Sequence, residues 1–303
     1  MLNVLIKAGC LVAILVLGYV LKKKGVFKKE DFPIFSHIVL DITLPAAIIT
    51  NFSTFQFDLS MMAIAVIALV CCILLSAAGY AAFRRRGVEE GAFAVINCTG
   101  YNIGCFTMPF VQSFLGPAAV VAGYIFDAGN VVAANGGAYG VASSLTRGGG
   151  VSLKFVGRKL LTSIPFMTYM VMLVVSCLQI PVPSPVLTLA GIAGSANSFM
   201  SMLMLGVGFE LSLEKRYLSA IAKTLVIRYA ISAVFAAVFF FALPFSLEIR
   251  QVLAIVAFAP ICSAAVPYTG RWGGDVGLSG AINSCSIIIS IVIITLLLMF
   301  MGL

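Results

Sequence analysis

Two stretches of the chain share one pattern: MPFVQSFLG at residues 108–116 and VPYTGRWGG at residues 266–274. In each, a proline (Pro109, Pro267) precedes an aromatic residue, a second aromatic stands five positions on, and a glycine stands seven positions on. Both prolines lie in apolar segments long enough to cross a membrane. Proline removes a helical hydrogen bond, and lipid cannot replace it, so broken backbone there needs protein or a wet cavity around it. Two such breaks in corresponding halves indicate a transporter's binding site.

The composition indicates a polytopic membrane protein. Hydrophobic residues make up 61% of the chain and charged residues 10%, against roughly 25% charged in soluble domains. The apolar segment at residues 2–21 is followed by Lys22, Lys23 and Lys24, which is typical of a spanning helix and not of a cleaved signal peptide. All eight cysteines lie in apolar segments without metal-ligand spacing, which predicts packing roles and no metal site.

Hydropathy predicts an all-α protein with ten membrane spans. Their limits are residues 2–21, 32–53, 59–83, 91–114, 117–145, 160–180, 186–209, 219–243, 250–271 and 276–302. Sixteen of the 19 lysines and arginines follow odd-numbered spans, whereas Lys7 and Arg250 lie near the other face and Arg228 lies within span eight. This segregation indicates positive-inside topology rather than nucleic-acid binding. It predicts a multi-pass protein of the cytoplasmic (inner) membrane with both termini on the outer face.

The chain divides into two halves around a glycine-rich loop. Five spans precede it and five follow it, so the second half must enter the membrane upside down. We therefore expect two inverted five-helix repeats, at residues 1–145 and 159–303, joined by a cytoplasmic linker at residues 146–158. Pro109 falls in span four and Pro267 in span nine, 158 residues apart.

The backbone groups around each break could bind either an anion or a cation. A half-helix can begin at each proline, and its free N–H groups carry the positive end of the helix dipole, which attracts anions. The carbonyl groups freed before the prolines could instead take a cation. The alternative is a pair of kinks filled by neighbouring side chains.

Ionisable residues within spans are the next candidates. Asp127, in span five, is predicted to carry a coupling proton or help bind Na⁺, or else to accept from an internal donor; Asn130 lies one turn away. Asp41 lies one turn beyond His37, the only histidine. This pair could relay protons, unless His37 is a solvated interfacial residue.

Each of the other polar residues has more than one interpretation. Arg228 could pair with a buried acid, bind an anionic substrate or extend towards the cytoplasm. Arg271 could meet an anion at the inner mouth or be an ordinary positive-inside residue. Asn283 and Ser284 stand almost level with Asp127 when counted from the repeated prolines. They are predicted to face a cavity, although small polar residues also pack helices together.

Taken together, these features resemble the auxin efflux carrier family, which includes the plant PIN-type exporters and is distantly related to sodium/bile-acid symporters. The segments that carry the likeness are the two proline breaks, residues 97–116 and 259–272, the Asp127–Asn130 pair, Leu44-Pro45 and Gly206-x-Gly208. The resemblance implies that spans four and nine cross at their prolines. Spans one, two, six and seven would form a scaffold and spans three to five and eight to ten a moving transport domain, with substrate contacts near Asn102, Tyr268 and Asn283.

Two departures refine this expectation. The short linker resembles the bacterial branch, whose members are associated with malate, malonate and similar acids, and span seven has Asn197-Ser198-Phe199-Met200 where a proline is expected. We therefore expect a secondary transporter of a small organic anion, not an enzyme, working by alternating access. It would be coupled to H⁺ rather than Na⁺, bind no cofactor, lie in the lipid bilayer and form a homodimer through the scaffold.

Two alternatives of other kinds stay open. One is a sodium-coupled symporter of another solute on the same fold. The other is a non-transporting sensor or an intramembrane enzyme, which a single histidine and the lack of a hydrolase or zinc motif disfavour.

Overall fold

The computed structural model describes residues 2–53, 58–210 and 214–303, in which the regular elements are helical and no strand occurs. In chain order they are α1 Leu2–Lys23, α2 Lys29–Ser53, α3 Leu59–Arg86, α4 Val88–Cys98, α5 Ile103–Phe114, α6 Pro117–Arg147, α7 Leu153–Leu161, α8 Ile164–Cys177, α9 Ser184–Gly208, α10 Leu218–Phe241, α11 Leu247–Ala257, α12 Ala265–Trp272 and α13 Val276–Phe300. The predicted all-α class is confirmed. One isolated antiparallel bridge joins Tyr101 to Ile261.

Seven of these helices are long and apolar enough to cross a membrane: α1, α2, α3, α6, α9, α10 and α13. The pair α7 and α8, bent by 76°, gives an eighth candidate if the two are taken as one span. The chain is therefore a multi-pass membrane protein. The predicted spans four and nine each consist of two shorter helices, so length and apolarity alone do not reach the predicted count of ten.

The interruptions do not fall at the two repeated prolines. Helix α4 ends at Cys98 and α5 begins at Ile103, whereas Pro109 lies inside α5. Likewise, Pro267 stands in the first turn of α12, after a gap at residues 258–264. A proline fits the first turn of a helix because its missing N–H would have no partner there. The first gap instead contains Gly100 at φ +68°, and the second contains Pro260.

Close helix contacts depend on two glycines. Helix α1 packs along the second half of α9, and α3 packs along α6. A Cβ atom on Gly206 would lie 2.0 Å from the Leu15 carbonyl oxygen, and one on Gly129 would lie 2.0 Å from the Ala65 carbonyl oxygen. Small residues of this kind let membrane helices approach backbone to backbone.

We expect Gly206→Ala to destabilise the protein, because the methyl group must push α1 and α9 apart. Overpacking of this kind costs about 1–3 kcal/mol. The matched control is Gly191→Ala on the same helix, where no atom lies within 4 Å of the added Cβ. Alanine favours a helix over glycine by up to ~1 kcal/mol, so this variant should be as stable as the parent or slightly more. Thermal unfolding in one detergent compares the two, and equal melting temperatures would contradict the close crossing.

Contacts between helix ends gather many basic residues at one end of the bundle. Lys29 pairs with Glu210 at 2.9 Å, and Lys223 donates to the Ala82 carbonyl at 2.6 Å. Arg147 donates to the Trp272 carbonyl at 2.9 Å. We call this end, marked by Lys29, Arg147 and Lys223, the basic face. It is the end at which α1, α3, α6 and α12 finish.

Candidate functional site

The two helix interruptions meet and share backbone hydrogen bonds. The Asn102 N–H donates to the Pro260 carbonyl at 2.8 Å, and the Cys262 N–H donates to the Gly100 carbonyl at 3.4 Å. We call the paired residues 99–102 and 258–264 the crossing. Backbone groups freed by broken helices must find partners inside a membrane, and each gap supplies part of what the other needs.

The amide of Asn130 completes the first gap. Its Oδ1 accepts from the Tyr101 N–H and its Nδ2 donates to the Tyr101 carbonyl, both at 2.8 Å. The same Nδ2 donates to Asp127 Oδ1 at 2.9 Å. One side chain of α6 therefore replaces a strand partner for Tyr101 and also orients a carboxylate.

Helix α13 plays the same part at the second gap. The Ile261 N–H donates to Ser286 Oγ at 3.1 Å, and Asn283 Nδ2 donates to the Ile261 carbonyl at 2.9 Å. Asn102 then joins the two gaps by side chain, since its Nδ2 donates to Ser263 Oγ at 2.8 Å. Neither Ser263 nor Ser286 was among the site residues predicted from the sequence.

A cavity of about 360 Å³ lies in front of the crossing. Five residues predicted as functional line it: Asp41, Asn102, Asp127, Asn130 and Pro267. Two π-helical turns, Ile38–Thr43 and Ile103–Thr107, also contribute lining residues, as does the kink in α6 at Ala133–Gly137, where Asn135 and Gly136 leave the helical conformation. Because π turns widen a helix and are frequent at functional sites, their convergence supports assigning the site to this cavity.

The positive ends of two helices face this cavity. Ile103, the first residue of α5, and Ala264, the residue before α12, both line it. Asp127, on α6, lies beside the start of α5, since a Cβ atom built on Gly104 would be 3.0 Å from Asp127 Oδ2. It is 5% exposed, and its Oδ2 also accepts from Tyr169 Oη at 2.8 Å. Within the described residues it forms no ion pair with a basic side chain, so hydrogen bonds and the helix dipole stabilise its charge.

A second cavity of about 440 Å³ adjoins the first. Asn283 and Ser284 line it, together with Lys29 and Glu210 of the basic face. The two cavities share Phe32, Ser263 and Pro267 as lining residues. The crossing is thus connected, past these three residues, to the end of the bundle that carries Lys29.

Three predicted site residues lie outside both cavities. Pro109 is buried within α5. Tyr268 stacks on Tyr139 at 5.6 Å, and the guanidinium of Arg271 lies over the rings of Phe155 and Tyr139 at 5.0 and 5.5 Å. These contacts place Tyr268 and Arg271 on an aromatic patch at the basic face. Tyr268 also lines a small cavity of about 10 Å³ with Thr99, Gly100 and Cys262 of the crossing.

Asp41 has the partner that its spacing indicated. Its Oδ2 lies 2.7 Å from His37 Nδ1, with 35% of the Asp41 side chain and 78% of the His37 side chain exposed. Asp41 lines the first cavity and His37 does not, so the pair stands at the rim of that cavity and could pass protons to it.

Sequence patterns missed two groups of lining or contacting residues. Tyr169, on α8, donates to Asp127. It is the one tyrosine in an otherwise apolar predicted span, and this feature could have identified it. Cys105 and Cys262 line the first cavity, although all cysteines were predicted to be packing residues. Their place beside a break, next to Gly104 and Ser263, could have singled them out.

A cysteine-labelling experiment tests where the cavity opens. We expect a variant that retains only Cys262 to react with a membrane-impermeant thiol reagent applied at the basic face, because Cys262 is partly exposed in the cavity. A variant that retains only Cys98, which is 0% exposed behind the crossing, should stay unmodified. Each variant is labelled with a maleimide polymer in right-side-out and in inside-out vesicles. The increase in mass of the protein measures the labelling from each face. Equal labelling of both cysteines, or labelling of Cys262 from the opposite face alone, would contradict this geometry.

Comparison with known proteins agrees with a transport role for the first half of the chain. A family described as membrane transport protein matches residues 5–147, which end with the last residue of α6. An uncharacterized transporter of Methanothermobacter thermautotrophicus is 27% identical over 125 residues. That alignment covers 39% of this chain and 41% of the relative, so it spans less than half of the relative's length. The residues that the family matches, 5–147, include Asn102, Asp127 and Asn130.

Proposed function

We propose that this chain, whose residues 5–147 match the family described as membrane transport protein, is a member of the auxin efflux carrier family and a proton-coupled secondary transporter of a small organic anion. A mono- or dicarboxylate such as malate or malonate fits the first cavity. The observation that carries the proposal is the meeting of two positive helix ends beside the buried carboxylate of Asp127.

The helix ends supply the attraction for an anion. No lysine or arginine is among the residues that line the first cavity in the described part of the chain. The positive ends of α5 and α12 therefore provide its positive potential, as at other anion-binding helix termini. At α12 the Ala265 N–H already donates to the Cys262 carbonyl at 3.0 Å and Pro267 has no N–H, so α12 contributes mainly through its dipole. Helices interrupted at mid-membrane use their ends in the same way towards carboxylates.

Asp127 provides the coupling. Its carboxylate already lies beside the positive end of α5, where a Cβ atom on Gly104 would be 3.0 Å from Asp127 Oδ2. An anionic substrate about 4 Å away would meet repulsion of about 4 kcal/mol at an effective dielectric constant near 20. Protonation of Asp127 removes this repulsion and releases the helix end. One proton should therefore enter with each substrate anion, and substrate should bind more tightly as the pH falls.

The two cavities support an alternating-access mechanism captured in one state. They reach the basic face through Lys29 and Glu210. On the other side of the crossing, Phe106, Phe110 and Tyr124 are each 0% exposed. We assign the basic face to the cytoplasm by the positive-inside rule, which puts both termini outside the inner membrane and makes this an inward-facing form.

The helix packing supports a division into scaffold and moving parts. Helix α1 packs on α9 and α2 packs on α8 and α9, whereas α6 packs on α3 and α11. We propose that α1, α2, α8 and α9 form the scaffold, which also makes a homodimer contact, and that α3–α6 and α10–α13 move. Taking α4 with α5, α7 with α8 and α11 with α12 gives ten spans, five that end by Arg147 and five that begin at Leu153, with the second set inverted.

A thermal-shift screen of organic acids on the purified protein tests the proposal. We expect small carboxylates to raise the melting temperature at pH 5.5 more than at pH 7.5, equally in sodium and potassium salts. Stabilisation that needs Na⁺ would favour the alternative of a sodium-coupled symporter on the same fold. If no acid changes the melting temperature at either pH, an organic-anion site at the crossing is rejected.

A further inference from the structure

Arg228 is a buried cation without an acidic partner. It lies in the interior of α10, is 0% exposed, and pairs with no carboxylate among the described residues. Its guanidinium carbon lies 4.7 Å from the centre of the Tyr101 ring. A charge taken out of water is very costly unless it is compensated, so the compensation must come from other groups.

Four backbone carbonyls of the crossing provide it. Nη1 donates to the Cys98 carbonyl and Nη2 donates to Gly100 at 2.9 Å, so both nitrogens serve the first gap. Nη2 also lies 3.2 Å from the Ala259 carbonyl and 3.4 Å from the Pro260 carbonyl, which belong to the second gap. One guanidinium therefore holds both interruptions together.

These carbonyls lie at or just beyond the negative ends of two helices. Cys98 is the last residue of α4, and Ala259 stands two residues after the end of α11. The last carbonyls of a helix have no intrahelical partner and carry the negative end of its dipole. The crossing thus separates charge: positive ends of α5 and α12 face the cavity, and negative ends of α4 and α11 face Arg228.

Carbonyl oxygens at unwound, half-helix ends are also the groups with which transporters coordinate Na⁺. We propose that the crossing contains a carbonyl-lined site for a monovalent cation and that the Arg228 guanidinium occupies this site permanently. Arg228 is then a positioning residue, because it fixes both gaps and closes the site to exchangeable ions. The consequence for coupling rests on the proposed function: Na⁺ does not drive transport at the crossing, and Asp127 remains the group that exchanges an ion.

Removing the side chain should turn the occupied site into an empty one. Arg228→Ala leaves the four carbonyls facing a space the size of the lost guanidinium. A free guanidinium ion fits that space and can donate to both gaps, and Na⁺ can enter it as a smaller ligand. Arg228→Lys keeps the charge, but a single ammonium group lacks the planar fork that reaches both gaps.

The test is thermal unfolding of the purified full-length protein in matched chloride salts of choline, sodium and guanidinium, the last at a low, non-denaturing concentration. The parent protein should melt at the same temperature in choline and sodium. Arg228→Ala should have a lower melting temperature than the parent, and guanidinium should restore a measurable part of that difference. The melting temperature of Arg228→Lys should lie between those of the parent and Arg228→Ala. The control is Arg250→Ala, whose arginine donates to one carbonyl, that of Phe240 at 3.0 Å; guanidinium should not restore it.

Each other outcome overturns the proposal. Sodium-specific stabilisation of the parent would show an exchangeable ion, and equal guanidinium effects on both alanine variants would show a non-specific salt effect. If Arg228→Ala is too unstable to give a melting curve, the yield of folded protein on extraction replaces it: a higher yield in guanidinium than in choline supports the proposal, and equal yields overturn it. None of these measurements uses an organic acid, so their result is independent of whether the proposed substrate class is right.

Discussion

Asp127→Asn removes the pH dependence of organic-anion uptake while the protein stays folded. Asparagine has nearly the same volume, and its Oδ1 can still accept from Tyr169, as the carboxylate does. It cannot be ionised, so the repulsion that excludes an anion at high pH is absent at every pH. Where Asp127 is ionised, the proton-bound fraction in the parent changes about tenfold per pH unit, and uptake should follow it.

Uptake by proteoliposomes over a pH series measures this effect. The control is Asp31→Asn, because Asp31 is outside the cavities and accepts only from the nearby Lys28 N–H at 2.8 Å. It should keep the parental pH profile. A parental profile in Asp127→Asn as well would reject Asp127 as the coupling group.

Asn130→Ala should be among the most destabilising substitutions in the chain. It removes the partners of both the N–H and the carbonyl of Tyr101, which are buried at the crossing. Each buried backbone group left without a hydrogen bond costs about 1–3 kcal/mol, which gives a loss of about 2–6 kcal/mol. Asn135→Ala, on the same helix, removes one long hydrogen bond of 3.5 Å to Ser163 and should cost much less.

Thermal unfolding of the two variants, with amide hydrogen exchange at Tyr101, checks this prediction. Exchange at Tyr101 should accelerate in Asn130→Ala and stay slow in Asn135→Ala. Similar melting temperatures for both variants would mean that Asn130 does not hold the first gap.

Local patterns in the chain predicted the membrane class and the neighbourhood of the site, but not the position of the breaks. The apolar segments and the polar residues before each proline marked the right regions. Proline, however, can end one helix or begin the next, and only the partners of the freed backbone decide between them. Those partners, such as Arg228 for Cys98 and Pro260 for Asn102, come from distant parts of the chain.

The direction of each side chain on its helix decides which of the predicted site residues share a cavity. Asp127 and Asn130 are three positions apart on one helix, so their hydrogen bond follows from helical geometry. Pro267 and Tyr268 are adjacent and therefore point about 100° apart on α12. Pro267 lines the cavity, whereas Tyr268 turns to Tyr139. Counting along the chain from the prolines could not resolve such directions.

The most direct measurement is the number of protons taken up when malonate binds the purified protein, obtained by calorimetry in buffers of different ionisation enthalpy. At a pH where Asp127 is ionised before binding, we expect an uptake of about one proton per malonate through linkage. Asp127→Asn should give zero. Malonate binding to the parent protein without proton uptake would contradict a site in which the substrate anion replaces the charge of Asp127 at the helix ends.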